Sequence, residues 1–138
     1  MEKAYLNLEE GGDKLYLMQI RIKEHHAMKV SELVKELNLM VFSGGEGLDR
    51  EISGGYVSDL LSDVMENSSE GEVWITLQTH CNVVAIACRK ELACVLLVSS
   101  LAPGQDTIDH SNERGIPVLG TSLSTFEIAG LLFQKIKT

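Results

Sequence analysis

From Met28 onward, short apolar runs alternate with more polar stretches of helical period, and this alternation is the chain's most informative feature. Leu33, Val34 and Leu37 share one side of a helix over 32–37, with Ser31 placed to cap it. Residues 39–42 read as a strand closed by Gly44-Gly45, and 51–57 as a second extended stretch. Leu60, Leu61, Val64 and Met65 mark a helix that stops at Asn67-Ser68-Ser69. Residues 73–77 are a strand, followed by a small-residue helix over 82–90. The run 94–98 is the most hydrophobic, as expected of a central strand buried on both faces. After Pro103-Gly104 a polar helix ends at Gly115, and 116–119 form a short strand. Ser124 and Glu127 make a capping box for a last helix reaching Ile136. Strands joined to helices by a few residues imply right-handed crossovers. The predicted fold class is therefore α/β, a three-layer αβα domain with a largely parallel sheet of about five strands.

Residues 1–27 have another texture. Positions 1–13 are polar, with Glu9-Glu10-Gly11-Gly12-Asp13 as a flexible break, while Tyr16, Met18, Ile20 and Ile22 alternate like a short strand. The expected organisation is an N-terminal extension over 1–27, flexible or a short strand, and an α/β domain over 28–138. Lys23-Glu24 is encodable as AAG-GAG, a ribosome-binding consensus three codons ahead of Met28. Met28 is thus a second candidate start, with residues 1–27 an extension outside the native protein.

Bulk properties narrow the classes. A chain of 138 residues can bury a real core in one domain. Its net charge of −8 argues against nucleic acid and anionic membrane surfaces, which call for clustered Lys and Arg. No apolar run approaches the roughly 18–20 residues of a membrane span, and the N-terminus lacks the form of a signal peptide. Cys81, Cys88 and Cys94 are odd in number and closely spaced, which fits reduced thiols in a cytoplasm.

In an open parallel sheet, ligands collect beyond the carboxyl ends of the strands. Those positions are Ser58 and Asp59; Thr79, His80 and Asn82; Ser99, Ser100 and Gly104; and Thr121 and Ser122. Such a set suits a small anionic or polyhydroxylated ligand facing helix N-termini. The alternative is that the same residues only cap helices. Sharper motifs are absent: neither glycine pair is followed by Lys-Ser/Thr, and no GxGxxG opens a helix. His80-Cys81 with Arg89 has the wrong spacing and no glycine for a cysteine phosphatase loop. Cys81 and Cys88, if both helical, stand roughly 10 Å apart along the axis, too far for one zinc ion. No metal or cofactor is expected. Asp106, Asp109 and His110 read as a solvated helix face, and Asp59 and Asp63 as an exposed like-charge pair.

The run Asp49-Arg50-Glu51-Ile52-Ser53-Gly54-Gly55, followed by Val57-Ser58-Asp59-Leu60-Leu61, resembles the signature of the DRTGG domain family. The resemblance continues through Thr79-His80-Cys81-Asn82-Val83-Val84, the strand 94–98, Gly115-Ile116-Pro117-Val118 and Ser124-Thr125-Phe126, covering about residues 30–136. The name-giving run is DREISGG, with two residues between Arg50 and Ser53-Gly54-Gly55. The resemblance implies a fold similar to the N-terminal domain of HPr kinase/phosphorylase. It also implies a regulatory or assembly module that dimerises, with Asp49, Arg50, Gly54 and Gly55 as signature and interface positions. It transfers no catalytic residue. Family members occur alone, beside CBS domains in pyrophosphatases, or before phosphotransacetylase domains. None of those partner domains is present here, so the resemblance implies a target on another polypeptide.

Two functional readings compete. The first is a non-enzymatic regulatory homodimer that binds a small metabolite, such as a nucleotide or phosphorylated compound, or a partner metabolic enzyme. The second is a small enzyme acting on a phosphorylated or acyl substrate, with His80 as base or Cys81 as nucleophile and a partner such as Asp59 to orient His80. Trp74, Tyr56 and Phe133 are expected in the core, and one of them exposed among apolar neighbours would instead suggest an interface. Gly54-Gly55, on an extended segment, marks a bulge or a close backbone approach, a neighbouring subunit being one candidate. An Asp49–Arg50 pair across the turn would contribute at most about 1 kcal/mol if exposed. N-terminal sequencing of the protein made from its own genome tests the Met28 start; a mature Met1 or Glu2 end rejects it.

Overall fold

The structure, a computed structural model, describes residues 27–137; the strand expected around residues 16–22 lies outside them. Its elements are α1 (Val30–Leu37), β1 (Met40–Ser43), a 3-10 turn (Gly45–Gly47), β2 (Gly54–Val57), α2 (Leu61–Asn67) and β3 (Glu72–Thr76). They continue through α3 (Asn82–Arg89), β4 (Cys94–Leu97), α4 (Gln105–Arg114), β5 (Val118–Gly120) and α5 (Thr125–Lys137). Every element expected after Met28 is present. Most ends shift by one or two residues. The largest change is at β2, where only Gly54–Val57 joins the sheet and Glu51 makes a single antiparallel bridge to Lys29.

The sheet order is β1-β5-β4-β3-β2, with β2 through β5 parallel and β1 antiparallel to β5. Four parallel strands in sequence order need three crossovers of one hand, which puts α2, α3 and α4 on one face. There Val64, Val83, Val84 and Ala87 pack on Trp74, Val95 and Leu97. On the other face, Val30 and Leu33 of α1 and Ile128 and Leu132 of α5 pack on Val73, Ile75, Cys94 and Leu96. β4 is buried on both faces, as its composition demands.

Local deviations have local causes. Ser31 does not cap α1: the Lys29–Glu51 bridge and the Val30 N–H bond to the Arg50 carbonyl (2.9 Å) start the helix earlier, at Val30. The Glu32 carboxylate accepts from the Lys29 N–H instead, at 2.9 Å. The capping box on α5 is present, with the Ser124 N–H 3.1 Å from Glu127 Oε1 and the Glu127 N–H 3.3 Å from Ser124 Oγ. Bonds from the Ser124 amide, then its hydroxyl, hold the Glu127 carboxyl below its ordinary pKa. Tyr56 is half-buried, its hydroxyl donating to Asp63 (2.8 Å), to which Asn67 also donates (2.9 Å). Those bonds, Asn67's foremost, depress Asp63, so Asp63 latches α2 to β2 rather than standing as half of a solvated pair. Trp74 is fully buried, its indole N–H 2.7 Å from the Ser58 carbonyl. Phe133 is 61% exposed, against expectation, on the part of α5 that overhangs β2.

The DREISGG segment is structural in detail. Arg50 does not pair with Asp49; its Nε donates to the Gly115 carbonyl at 3.3 Å, and among the described residues the ion pair is Glu36–Lys135. Upstream, Gly44 has φ 73° and gives its N–H to Asn112 Oδ1 at 2.8 Å, pressed so close that any Cβ would collide with the Ile116 carbonyl. The close approach at Gly55 is made within the chain, since a Cβ there would stand 2.9 Å from Leu132 Cδ2 of α5. A Cβ at Gly54 would stand an ordinary 3.7 Å from Glu72 Oε2.

These two approaches differ in what can yield. Gly44→Ala meets backbone in a left-handed conformation and is expected to cost about 3 kcal/mol. Gly55→Ala meets the end of a leucine and should cost about 1 kcal/mol. Urea unfolding of both variants checks the order, and equal losses would contradict it.

Candidate ligand site at the carboxyl end of the sheet

Beyond β4 the chain makes an unusual turn. Ser99 and Ser100 both have positive φ, 55° and 61°, a left-handed conformation that costs a non-glycine residue about 1–3 kcal/mol. Three backbone bonds enforce it: Ser99 N–H to the Leu123 carbonyl (2.8 Å), Ser100 N–H to Thr121 (2.9 Å) and Thr121 N–H to Leu97 (3.0 Å). They lace the exits of β4 and β5 together and set Ser100 on the wall of a cavity of about 370 Å³. Thr121 and Ser122, leaving β5, line it too. Met40, Phe42, Leu101 and Ala102 supply apolar wall, and Asn38 an amide.

Three of the ten predicted ligand positions, Ser100, Thr121 and Ser122, thus share one cavity. The others are placed elsewhere, several in structural bonds. Ser58 Oγ accepts the Leu60 N–H at 3.2 Å, and Asp59 Oδ1 accepts from Thr76 Oγ1 (2.9 Å) and the Leu77 N–H (2.7 Å). The Thr79 carbonyl takes the Thr107 hydroxyl at 2.8 Å, tying the β3–α3 loop to α4. The Asn82 N–H donates to His80 Nδ1 at 3.3 Å at the start of α3. Gly104 is the N-cap of α4, and Ser99 is held by its backbone bond to Leu123.

Asn38, Met40 and Phe42 are missed when only the residues just past each strand are considered. Because β1 is antiparallel, the residues that precede and begin it face the opening that the other strands reach at their ends. No local signal gives the direction of β1, because a two-residue helix-to-strand link such as Asn38-Leu39 is equally ordinary in parallel units.

His80 and Cys81 lie side by side at the start of α3. His80 is exposed, its Nδ1 accepts from Asn82, and among the described residues no carboxylate bonds to it. Cys81 Sγ lies 3.7 Å from that same nitrogen, but burial and then the Asp106 charge push its thiol pKa up, which makes thiolate scarce. No group of three or more His, Cys, Asp or Glu among the described residues could hold a metal ion. Nor is any helix among them long and apolar enough to cross a membrane.

No family model matches the chain. HPr kinase/phosphorylase of Levilactobacillus brevis is 26% identical to it, over 74% of this chain and 38% of that protein. The chain therefore spans well under half the length of this curated relative. Among solved structures, it is similar to the CBS and DRTGG domains of the regulatory region of Clostridium perfringens pyrophosphatase, complexed with the activator diadenosine tetraphosphate. That match has a TM-score of 0.61 at 16% identity and covers 78% of this chain and 46% of the other. Together the two matches support a DRTGG-like fold.

The thiols also give a test of the core. Cys94, fully buried in β4, has its pKa pushed by burial from 9.0 up to about 12, slightly offset by Arg50. The unfolded chain loses this proton first, so the contribution to stability is complete below pH 9 and disappears as pH rises toward 12. Stability should fall by about 1.4 kcal/mol per pH unit across that window from this group. Cys94→Ala, less stable at pH 7, should show a shallower slope in urea titrations at pH 9 to 11; parallel slopes would show that Cys94 is not the cause.

Proposed function

We propose that the chain is a non-enzymatic regulatory module that binds a small metabolite, a nucleotide or a related phosphorylated compound, in the cavity between β1 and the exits of β4 and β5. The observation that carries this is the strained Ser99-Ser100 turn bordering a concave surface of hydroxyls, an amide and apolar wall. Strain of this kind persists where the surroundings over-determine it, and it concentrates at ligand sites. At about 370 Å³ the cavity is at the small end of ligand pockets, enough for a flat heterocycle. Met40 and Phe42 would cover its faces, while Ser100, Thr121, Ser122 and Asn38 meet its polar edge. No Lys or Arg lines the cavity, so phosphate groups would point to solvent. The similar fold of a regulatory region that takes a nucleotide activator supports the same choice of ligand class.

On this reading the module works as a homodimer and reports ligand occupancy to a separate metabolic enzyme in the cytoplasm. Thermal-shift measurements with adenosine, AMP, ATP and diadenosine tetraphosphate test the ligand, with sedimentation counting subunits. A ligand at 100 times its Kd should stabilise the fold by about 2.7 kcal/mol. Ser100→Gly should stabilise the free protein by about 1 kcal/mol, by relieving the turn, and weaken the ligand response. No response to any of the four compounds, or one unchanged by both Ser100→Gly and Phe42→Ala, would reject the site. Turnover of a substrate abolished by His80→Ala would reject the non-enzymatic reading.

A further inference from the structure

The hydrogen bonds that shape the mouth of the cavity also occupy groups an anion would use. The N–H groups of Ser99, Ser100, Leu101 and Thr121 donate to the carbonyls of Leu123, Thr121, Val98 and Leu97, at 2.8, 2.9, 3.1 and 3.0 Å. The Leu123 N–H goes to Thr121 Oγ1 at 3.2 Å. α4 and α5 begin three residues past Ala102 and Ser122 of the lining, and each meets its own carboxylate there. Asp106 accepts the Thr107 N–H at 3.0 Å, and Glu127 accepts the Ser124 N–H at 3.1 Å. A phosphate without a cation is held by open backbone amides or a helix N-terminus. Here five amides and both helix starts are already engaged, and among the described residues no Lys or Arg lines the cavity.

The polar groups that remain are neutral: the Ser100 and Ser122 hydroxyls, the Asn38 amide and the Thr121 hydroxyl proton, whose oxygen takes the Leu123 N–H. A second opening, a groove of about 380 Å³ between β2 and α5, offers an anion no more. Glu72 is in its lining, and the rest is glycine and apolar side chain. The net charge of −8 acts against each added phosphate as well.

The apolar wall is built for a ring. Phe42 and Gly120 both line the cavity, and the Phe42 ring fills the place a side chain at 120 would take. A Cβ at Gly120 would collide with Phe42 Cε2 and stand 3.0 Å from Cζ and 3.4 Å from Cδ2. Three consecutive ring atoms thus lie over the backbone of β5, and the glycine sets where the ring sits along the wall.

We propose that the cavity selects the uncharged heterocycle of its ligand, a purine or similar flat ring, stacked on Phe42, with Gly120 as the residue that positions Phe42 and with phosphate adding nothing to affinity. The proposal rests on the cavity being the ligand site and names the part of the ligand that it reads. Nucleosides and free bases then compete on equal terms with their phosphorylated forms.

Calorimetric titration of the full chain with adenosine, AMP and ATP, at low and at high salt, tests it. Adenosine should bind at least as tightly as AMP or ATP, with no loss of affinity at high salt. Gly120→Ala, which displaces the ring, and Phe42→Leu, which removes it, should each weaken adenosine binding about tenfold. Phe42→Leu keeps the experiment readable if Gly120→Ala does not fold. ATP binding about tenfold tighter than adenosine overturns the proposal, and its loss in Ser100→Gly would leave the cavity as the ligand site. Adenosine affinity unchanged in Phe42→Leu overturns it too, since the ring would then serve only to cover the sheet. Binding of none of the three compounds rejects the cavity as the site, and this proposal with it.

Discussion

Cys94, Val95, Leu96 and Leu97 are all withdrawn from water, two side chains into each layer, and the rest of the architecture follows from covering them. Burying such side chains stabilises a fold by about 1.5–3 kcal/mol each, provided both faces of the strand are covered. The three crossovers between parallel neighbours can cover only one face, because they share one hand. The other face has to be closed by chain from outside the parallel run. It is closed by α1 from before and α5 from after, which places the two ends of the fold on one side of the sheet.

That division explains the position of the cavity. α1 lies on the face away from the crossovers, and the chain leaving it runs through β1 antiparallel to β5. An antiparallel strand at that edge brings Asn38, Met40 and Phe42 to the exits of β4 and β5. The cavity thus sits where the direction of the sheet reverses, and the Ser99-Ser100 turn is held there by bonds to the chain leaving β5. Its strain is offset by the same three hydrogen bonds that join the central strands beyond their ladder.

The elements after Met28 are legible because apolar periodicity is a local signal: the wholly apolar run 94–98 can be little else than a buried strand, and Ser124-Glu127 marks a helix start by its own chemistry. Direction and pairing are not legible. Nothing in residues 39–42 distinguishes a parallel from an antiparallel edge strand, so a site drawn from strand exits alone takes in Asp59 and Thr79. Of those two, Asp59 accepts from Thr76 and Leu77 through Oδ1, and Thr79 accepts from Thr107 through its backbone carbonyl. Ser100, Thr121 and Ser122 line the cavity because their strands end at that opening. Gly55 reads correctly as a close approach, but its partner, Leu132, is 77 residues away along the chain, beyond any local pattern.

The helix that meets Gly55 also begins beside the cavity. Thr121 and Ser122 line it, Ser124 caps α5 two residues later, and the same helix carries Leu132 and Ile136 to the groove over β2. An α-helix is stiff along its axis, so α5 links the 121–124 segment to the contact with β2. Gly55 makes that contact unusual. It lets the buried Leu132 side chain approach the backbone of β2 with no intervening side chain. Of the five helices among the described residues, α5 alone starts at the cavity and ends at the groove.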